Sequence, residues 1–128
     1  MDSDPRVAPY GSLTLRPDGI LHIVFDFETE PTLEATEAFL EARRELIGAD
    51  VPPVLFEIVK IPCIDRHIRS YFMTQMENPP CRAVVATNSS YVTLWRSFQL
   101  VDPADVPSEL FRTVDRAVEW IRTQIAAT

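Results

Sequence analysis

Glycine is scarce in this chain, which has three glycines in 128 residues, at positions 11, 19 and 48. Loops that cradle phosphate need glycines at a strand-to-helix turn, because the backbone must approach the phosphate closely. The corresponding turn here is Ile-Pro-Cys-Ile-Asp, residues 61–65. The sequence therefore excludes the P-loop and dinucleotide-binding classes.

Cysteine is equally sparse, and Cys63 and Cys81 form neither a disulfide framework nor a metal-ligand spacing. A bond between them is disfavoured, because the helix predicted between them holds them about 18 Å apart. The histidines, His22 and His67, have no ligand partner at a useful spacing. We therefore predict no bound metal and no cofactor.

Long apolar runs and a secretory leader are also missing. No stretch is long enough to span a bilayer. The N-terminus, MDSDPRVAPYG, is acidic where a signal peptide would be basic. Together with the low cysteine content, these absences predict a cytoplasmic protein with no membrane span.

Positive charge is in short supply, with 12 cationic residues against 19 acidic ones and a formal net charge of −7. Nucleic-acid binding depends on cations placed against phosphates, so this balance argues against DNA or RNA as a partner. Lys60 is the only lysine. The preference for arginine, alanine and proline is typical of an actinobacterial-type, GC-rich genome.

The remaining composition, 46% hydrophobic and 24% charged, is that of an ordinary globular domain. Leu13 and Leu15 alternate with polar residues, as in a half-buried strand. Pro17-Asp18-Gly19 is typical of a turn, and residues 20–27 are typical of a second strand. The chain is therefore predicted to open as a β-hairpin after an extended segment, residues 1–11.

The next segments predict a helix and then the central strand of a sheet. Thr32 is the expected N-cap of the helix, and Gly48 is expected to close it. Residues 53–61 are apolar apart from two charged residues, and a strand apolar on both faces belongs in the middle of a covered, mainly parallel sheet. The acidic residues of the helix share its outer face, as on a solvated helix: Glu34, Glu37, Glu41 and Glu45.

Three further helices and two further strands complete the pattern. Asp65 is expected to cap a helix over residues 66–77, and Tyr91 to begin another that ends near residue 101. Residues 82–87 and 109–112 are expected to be short strands, and Thr113 to cap the closing helix. The order β-β-α-β-α-β-α-β-α predicts a single-domain α/β sandwich over residues 1–128, with a mixed, mainly parallel sheet.

The junction after the central strand holds the residues best suited to chemistry. Cys63, Asp65 and His67 are the residue types of a thiol nucleophile, its base and the base's orienter. If Asp65 caps the helix, its carboxylate faces the first-turn N–H groups rather than the imidazole. Capping is the favoured interpretation, and a hydrolase that uses Cys63 and His67 is the minor alternative.

From Leu55 to Ile68 this junction resembles the STAS family of SpoIIAA-like and STAS/SEC14-like domains. Family members have an apolar strand, then Asp-Leu-Ser-Gly-Val, an apolar pair, and Ile-Asp-Ser-Ser-Gly-Leu opening a helix. Here, without a gap, Glu57 falls on the first aspartate and Ile64-Asp65 on Ile-Asp. Residues 111–121, FRTVDRAVEWI, look like the family's final strand and last helix. The resemblance implies a STAS-like fold over nearly the whole chain.

The resemblance also implies a binding function, with one departure. In the anti-sigma factor antagonists of the family, a partner kinase phosphorylates a serine at this helix start, and the phosphate abolishes binding. Arg66 and His67 stand at the two serine positions here, and Ser70 lies beyond the first turn. The phosphorylation switch is therefore not carried over.

The family grips its partners with this helix and the loop before it. The resemblance thus implies a non-catalytic protein-interaction or regulatory domain, acting on a protein partner in signalling or as a small homo-oligomer. A helix face that is merely solvated is the plainer interpretation of the same residues. The candidate interaction surface consists of Asp65, Arg66, His67, Arg69, Ser70 and Met73.

A small apolar ligand or lipid-binding domain is the alternative function. It is suggested by the SEC14-like relatives and by the apolar faces of the helices that begin near residues 66 and 91. A closed pocket of a few hundred Å³ lined by Phe72, Met76, Leu94 and Phe98 would favour it, and a fully packed core would exclude it.

Overall fold

The structure, a computed structural model, describes residues 5–62, 64–75, 79–93 and 106–126. Strands and helices alternate along these ranges, and the strands form one mixed sheet, so the expected α/β fold is confirmed. The elements are β1 (Arg6–Ala8), β2 (Gly11–Leu15), β3 (Leu21–Asp26), α1 (Leu33–Ile47), β4 (Val54–Lys60), α2 (Arg66–Gln75), β5 (Arg82–Val85), α3 (described over 89–93), β6 (Ser108–Phe111) and α4 (Val114–Ala126).

The opening hairpin forms as predicted, from β2 and β3 paired antiparallel. Its turn holds Gly19 at φ 85°, a conformation that glycine adopts without steric cost. The amide of Gly19 donates to the carbonyl of Arg16 at 2.9 Å, and the amide of Ile20 donates to the Asp18 carboxylate at 3.3 Å. The turn therefore fixes the register of the two strands.

One strand was not predicted. Within the segment expected to be merely extended, β1 pairs antiparallel with β2, and Val7 lies opposite Ser12. Three residues are too few to show a periodic pattern, and Val7 is 85% exposed, so no apolar signal marks the strand. Pro5 and Pro9 flank it, and prolines limit the pairing of an edge strand with another chain.

The strands lie in sequence order across the sheet, β1-β2-β3-β4-β5-β6, and β3 to β6 are parallel to one another. β4 therefore has a parallel neighbour on each side, as expected for a strand that is apolar on both faces. Its first three residues, Val54, Leu55 and Phe56, are all buried.

Helix α1 has the predicted ends. The hydroxyl of Thr32 accepts a hydrogen bond from the amide of Ala35 at 3.1 Å, and Gly48 follows the helix at φ 66°. The inner face is buried, including Phe39 at 0% exposure, and the glutamates of the outer face are exposed. The helix is thus bound to the sheet along one side and presents an acidic stripe to solvent.

Two separate cores lie on the two faces of the sheet. The core under α1 and α2 is rich in aromatic rings, and that under α4 consists mainly of aliphatic residues. Among the described residues, no helix is both long enough and apolar enough to cross a bilayer. The fold therefore places α2 and the β4–α2 junction above the aromatic core.

Candidate functional site

The junction between β4 and α2 is organised by a helix cap. The amide of His67 donates to Oδ1 of Asp65 at 2.7 Å, and the amide of Arg69 donates to the carbonyl of Asp65 at 3.0 Å. The carboxylate therefore occupies the first turn of α2, which satisfies N–H groups that have no partner within the helix. This confirms that Asp65 begins a helix.

Capping directs the Asp65 carboxylate away from the His67 imidazole, and a hydrolase would need these two groups in contact. The carboxylate of Asp65 contacts the backbone of His67, and the imidazole itself is exposed. Cys63 lies outside the described residues. The other cysteine, Cys81, is buried in the core under α4, and that burial raises the pKa of its thiol.

The predicted interaction surface divides into three parts. Asp65, Arg66, His67 and Ser70 are exposed, as expected. Arg69 is instead half-buried and reaches the lining of a cavity beneath α2. The side chain of Met73 lies outside what the structure describes. We call the four exposed residues the α2 surface.

The α2 surface adjoins the acidic stripe of α1. The hydroxyl of Tyr71 donates to Oε1 of Glu37 at 3.1 Å and so links the two helices. Partial burial and the neighbouring Glu37 carboxylate both raise the pKa of Tyr71, which keeps the phenol protonated as the donor. The acidic stripe of α1 therefore lies next to a helix whose exposed start carries the cation of Arg66.

A second contact that holds the junction was not predicted from the sequence. The hydroxyl of Tyr91, at the start of α3, accepts a hydrogen bond from the amide of Ile61 at 3.3 Å. Asn88 caps the same helix start through its side chain, which accepts from the amide of Ser90 at 2.8 Å. Tyr91 was expected to begin this helix, and its contact with Ile61 was not predicted. A contact over 30 residues leaves no local sequence signal.

An apolar cavity of about 100 Å³ lies under α2, between the helix and the sheet. Five aromatic residues from β-strands, loops and α2 line it, together with isoleucines of β4, the junction and α2. Phe72 is among them, as expected for a ligand pocket. Met76, Leu94 and Phe98, the other residues expected there, lie outside the described residues.

The opposite face of the sheet carries a hydrogen-bonded pair of side chains that was not predicted from the sequence. Nε2 of His22 and Oε1 of Glu57 are 2.9 Å apart across β3 and β4. Strand alternation places both side chains on the α4 face, which could have signalled their proximity. Among the described residues, no group of three or more histidine, cysteine, aspartate or glutamate side chains is placed to hold a metal ion.

Comparison with known proteins gives a family and a distant structural match. The model of a family described as Domain of unknown function (DUF7793) matches residues 13–125. The crystal structure of a protein with unknown function from Arthrobacter sp. FB24, at 2.20 Å resolution, is similar at 19% identity, covering 86% of this chain and 97% of that chain with a TM-score of 0.33. No curated protein matches the chain.

Proposed function

The chain belongs to the DUF7793 family of domains of unknown function, and from that premise we propose that it is a non-catalytic protein-interaction domain of STAS-like type. Its contact site is the α2 surface, that is, Asp65, Arg66, His67 and Ser70. The partner is another protein or a second copy of the chain. Phosphorylation is not part of the proposal, because Arg66 and His67 stand where the STAS antagonists have serines.

The proposal rests on the exposure of two side chains at the start of α2 and on their lack of polar partners among the described residues. Arg66 and His67 are exposed, and neither side chain makes a hydrogen bond or ion pair with the residues that the structure describes. Beside them runs the acidic stripe of α1, and Tyr71 links the two helices through Glu37. An unpaired arginine beside an acidic stripe helps to fix the orientation of a charged partner and speeds its encounter.

The geometry favours binding over chemistry at this junction. Asp65 has its carboxylate committed to the backbone of α2, so it is poorly placed to orient an imidazole. Arg66, His67 and Ser70 project from the first turns of one helix, which holds them in a fixed spatial relation. Such a rigid display suits recognition.

The order of elements supports the STAS-like type. A hairpin, three helix–strand units and a closing helix follow one another as the resemblance implies, and the strands keep their sequence order across the sheet. Helices α1 and α2 pack on the same face, as right-handed crossovers between successive parallel strands require. The α2 surface is therefore the outer side of a two-helix layer.

Charge reversal tests the proposal. We would immobilise the full chain, capture proteins from a lysate of its native host, and measure binding of each purified candidate by calorimetry. Arg66→Glu should weaken binding of the true partner at least about tenfold, because an attraction becomes a repulsion. Sedimentation of the chain alone tests whether a second copy is the partner.

Arg116→Glu is the matched control, because Arg116 is also exposed in the first turn of a helix and changes the net charge equally. It should leave binding unchanged. Equal affinity of the wild type and both variants for the purified partner would remove the α2 surface from the proposal. A chain that sediments as a monomer and binds no purified candidate would contradict the interaction function itself.

A further inference from the structure

The cavity beneath α2 has walls made almost wholly of hydrocarbon. Rings of Tyr10, Phe25, Phe27, Phe56 and Phe72 form most of it. Isoleucines complete it where β4 leads into α2. Protein interiors are normally packed as densely as organic crystals, so an apolar space of about 100 Å³ is a feature that needs an explanation.

The cavity is kept open by the rings around it. Tyr10 and Phe27 have centroids 4.6 Å apart, and Phe25 stacks on Phe56 at 5.6 Å. The Tyr10 hydroxyl lies 2.6 Å from Oγ1 of Thr36 and donates to the carbonyl of Thr32 at 3.1 Å. Rings fixed on both sides and at one hydroxyl cannot move into the space. The lining is therefore preformed rather than collapsed.

The polar groups at the cavity are already engaged. The hydroxyls of Tyr10 and Thr36 lie 2.6 Å apart, and both lie within hydrogen-bond distance of the Thr32 carbonyl, so their two protons are shared among these contacts. Two arginines reach the lining, and both have polar contacts of their own: Arg82 donates to the Ser108 hydroxyl at 3.2 Å, and Arg69 is engaged as well. A charged guest would lose its hydration without gaining a dedicated partner.

These features define the guest that would fit. Aromatic rings pair favourably with other rings in offset or edge-to-face contact. An enclosed apolar cavity of about 150 Å³ lined by leucine, isoleucine and phenylalanine accepts benzene. The space here is smaller, about 100 Å³, but it is open on one side and so does not have to enclose the whole ring. We propose that the cavity beneath α2 is a binding site for a neutral, single-ring aromatic molecule. The site does not depend on the α2 surface, so either proposal can fail alone.

The test is a titration of the full chain with benzene, followed by the chemical shifts of the isoleucine methyl groups. Shifts should be confined to the isoleucines that line the cavity, among them Ile58, Ile64 and Ile68, and benzene should raise the Tm. Benzoate and anilinium, which carry charge on the same ring, should cause neither effect.

Two matched variants locate the site. Val84 lines the cavity, and its neighbour Val85 faces the core under α4. Val84→Ile adds one methylene to the cavity wall and should raise the dissociation constant of benzene at least about tenfold, whereas Val85→Ile should not. Circular dichroism should show both variants to be folded.

Three results would overturn the proposal. One is the absence of localised shifts in the wild type near the solubility limit of benzene. Another is an unchanged dissociation constant in Val84→Ile when the variant is folded. The third is a response to benzoate equal to the response to benzene. Arg66→Glu should bind benzene like the wild type, so loss of partner binding in that variant is separate from loss of this site.

Discussion

The two faces of the sheet are covered in different ways. Under α1 and α2, six rings form a continuous contact chain with centroids 4.6–6.2 Å apart, and a hydrogen-bonded tyrosine lies among them. Under α4, the buried residues are mainly alanine, valine, leucine and isoleucine, with one partly buried ring pair, Phe111 and Trp120. Ala83 and Ala117, both 0% exposed, let α4 approach the sheet closely.

The difference shows how side-chain shape decides where space is left. Small aliphatic side chains interdigitate in many arrangements, so the space left on the α4 side is an open, partly polar groove at the ends of β4 and β5, lined by Val85, Arg112 and Val114 among others. Flat rings have few favourable pairings, and Tyr10 is further fixed by its hydroxyl. The aromatic face therefore keeps an apolar cavity framed by rings, whereas Phe111 and Trp120 are the ring pair under α4 among the described residues.

The largest expected effect comes from removing the ring at the centre of the aromatic face. Phe39 is fully buried and contacts the rings of Tyr10, Phe25 and Phe72. Phe39→Ala enlarges the existing space and should lower the free energy of unfolding by about 3–5 kcal/mol. Urea titration followed by circular dichroism measures the loss.

Leu33, on the same helix but 50% exposed, supplies the control. Leu33→Ala should change the free energy of unfolding by less than about 0.5 kcal/mol. If Phe39→Ala loses no more free energy of unfolding than Leu33→Ala, the aromatic face is not a packed core, and the comparison between the two faces is wrong.

A smaller loss of stability is expected when volume is added to the core under α4. Ala117→Leu forces extra methylenes between α4 and the sheet and should cost about 1–3 kcal/mol. Val84→Ile, on the cavity side, has room for its added methylene. It should lower the free energy of unfolding by less than about 0.5 kcal/mol, or raise it. Denaturant midpoints of the two variants give the contrast directly.

Val118→Ile, in the core under α4, separates the effect of the face from that of the residue type. It should be less stable than Val84→Ile. If the two valine variants lose the same free energy of unfolding, the two cores are packed to the same density.

Much of this architecture follows from local sequence patterns. Thr32 caps α1, Asp65 caps α2 and Thr113 caps α4, each by accepting from an amide in the first turn of its helix. Gly19 occupies the hairpin turn at positive φ. Such features depend on neighbours within a few residues, which is why caps, turns and the central position of β4 could be predicted.

The features that could not be predicted depend on contacts between segments that are distant in sequence. The hydrogen bond from Tyr10 to Thr36 and that from Ile61 to Tyr91 join residues 26 and 30 positions apart, and no periodic pattern encodes them. Arg69 was assigned to the outer side of α2, yet it reaches the cavity. Spacing places it near the boundary of the helix faces, where only packing against α1 and the sheet decides the outcome.

The smallest expected effect concerns a polar contact at the rim of the aliphatic face. Asp18, in the hairpin turn, accepts from Arg16 at 3.2 Å and from Arg122 of α4 at 3.3 Å. Partial burial raises the pKa of Asp18, but the hydrogen bonds from Arg16 and from the Ile20 amide, joined by Arg122, outweigh it and hold the pKa below its usual 3.8.

A carboxyl whose pKa is lower in the folded state stabilises the fold above its unfolded pKa, and that contribution is lost as the pH falls through the folded pKa. Asp18→Asn should therefore cost about 1 kcal/mol or less of the free energy of unfolding at neutral pH, and the gap to the wild type should narrow when the pH is lowered to about 3. Urea titrations at both pH values measure it, with Asp26→Asn, an exposed carboxyl at the end of β3, as the control. A gap that persists unchanged at the lower pH would mean that the Asp18 charge does not hold the hairpin to α4, and that α4 is fixed by its aliphatic core alone.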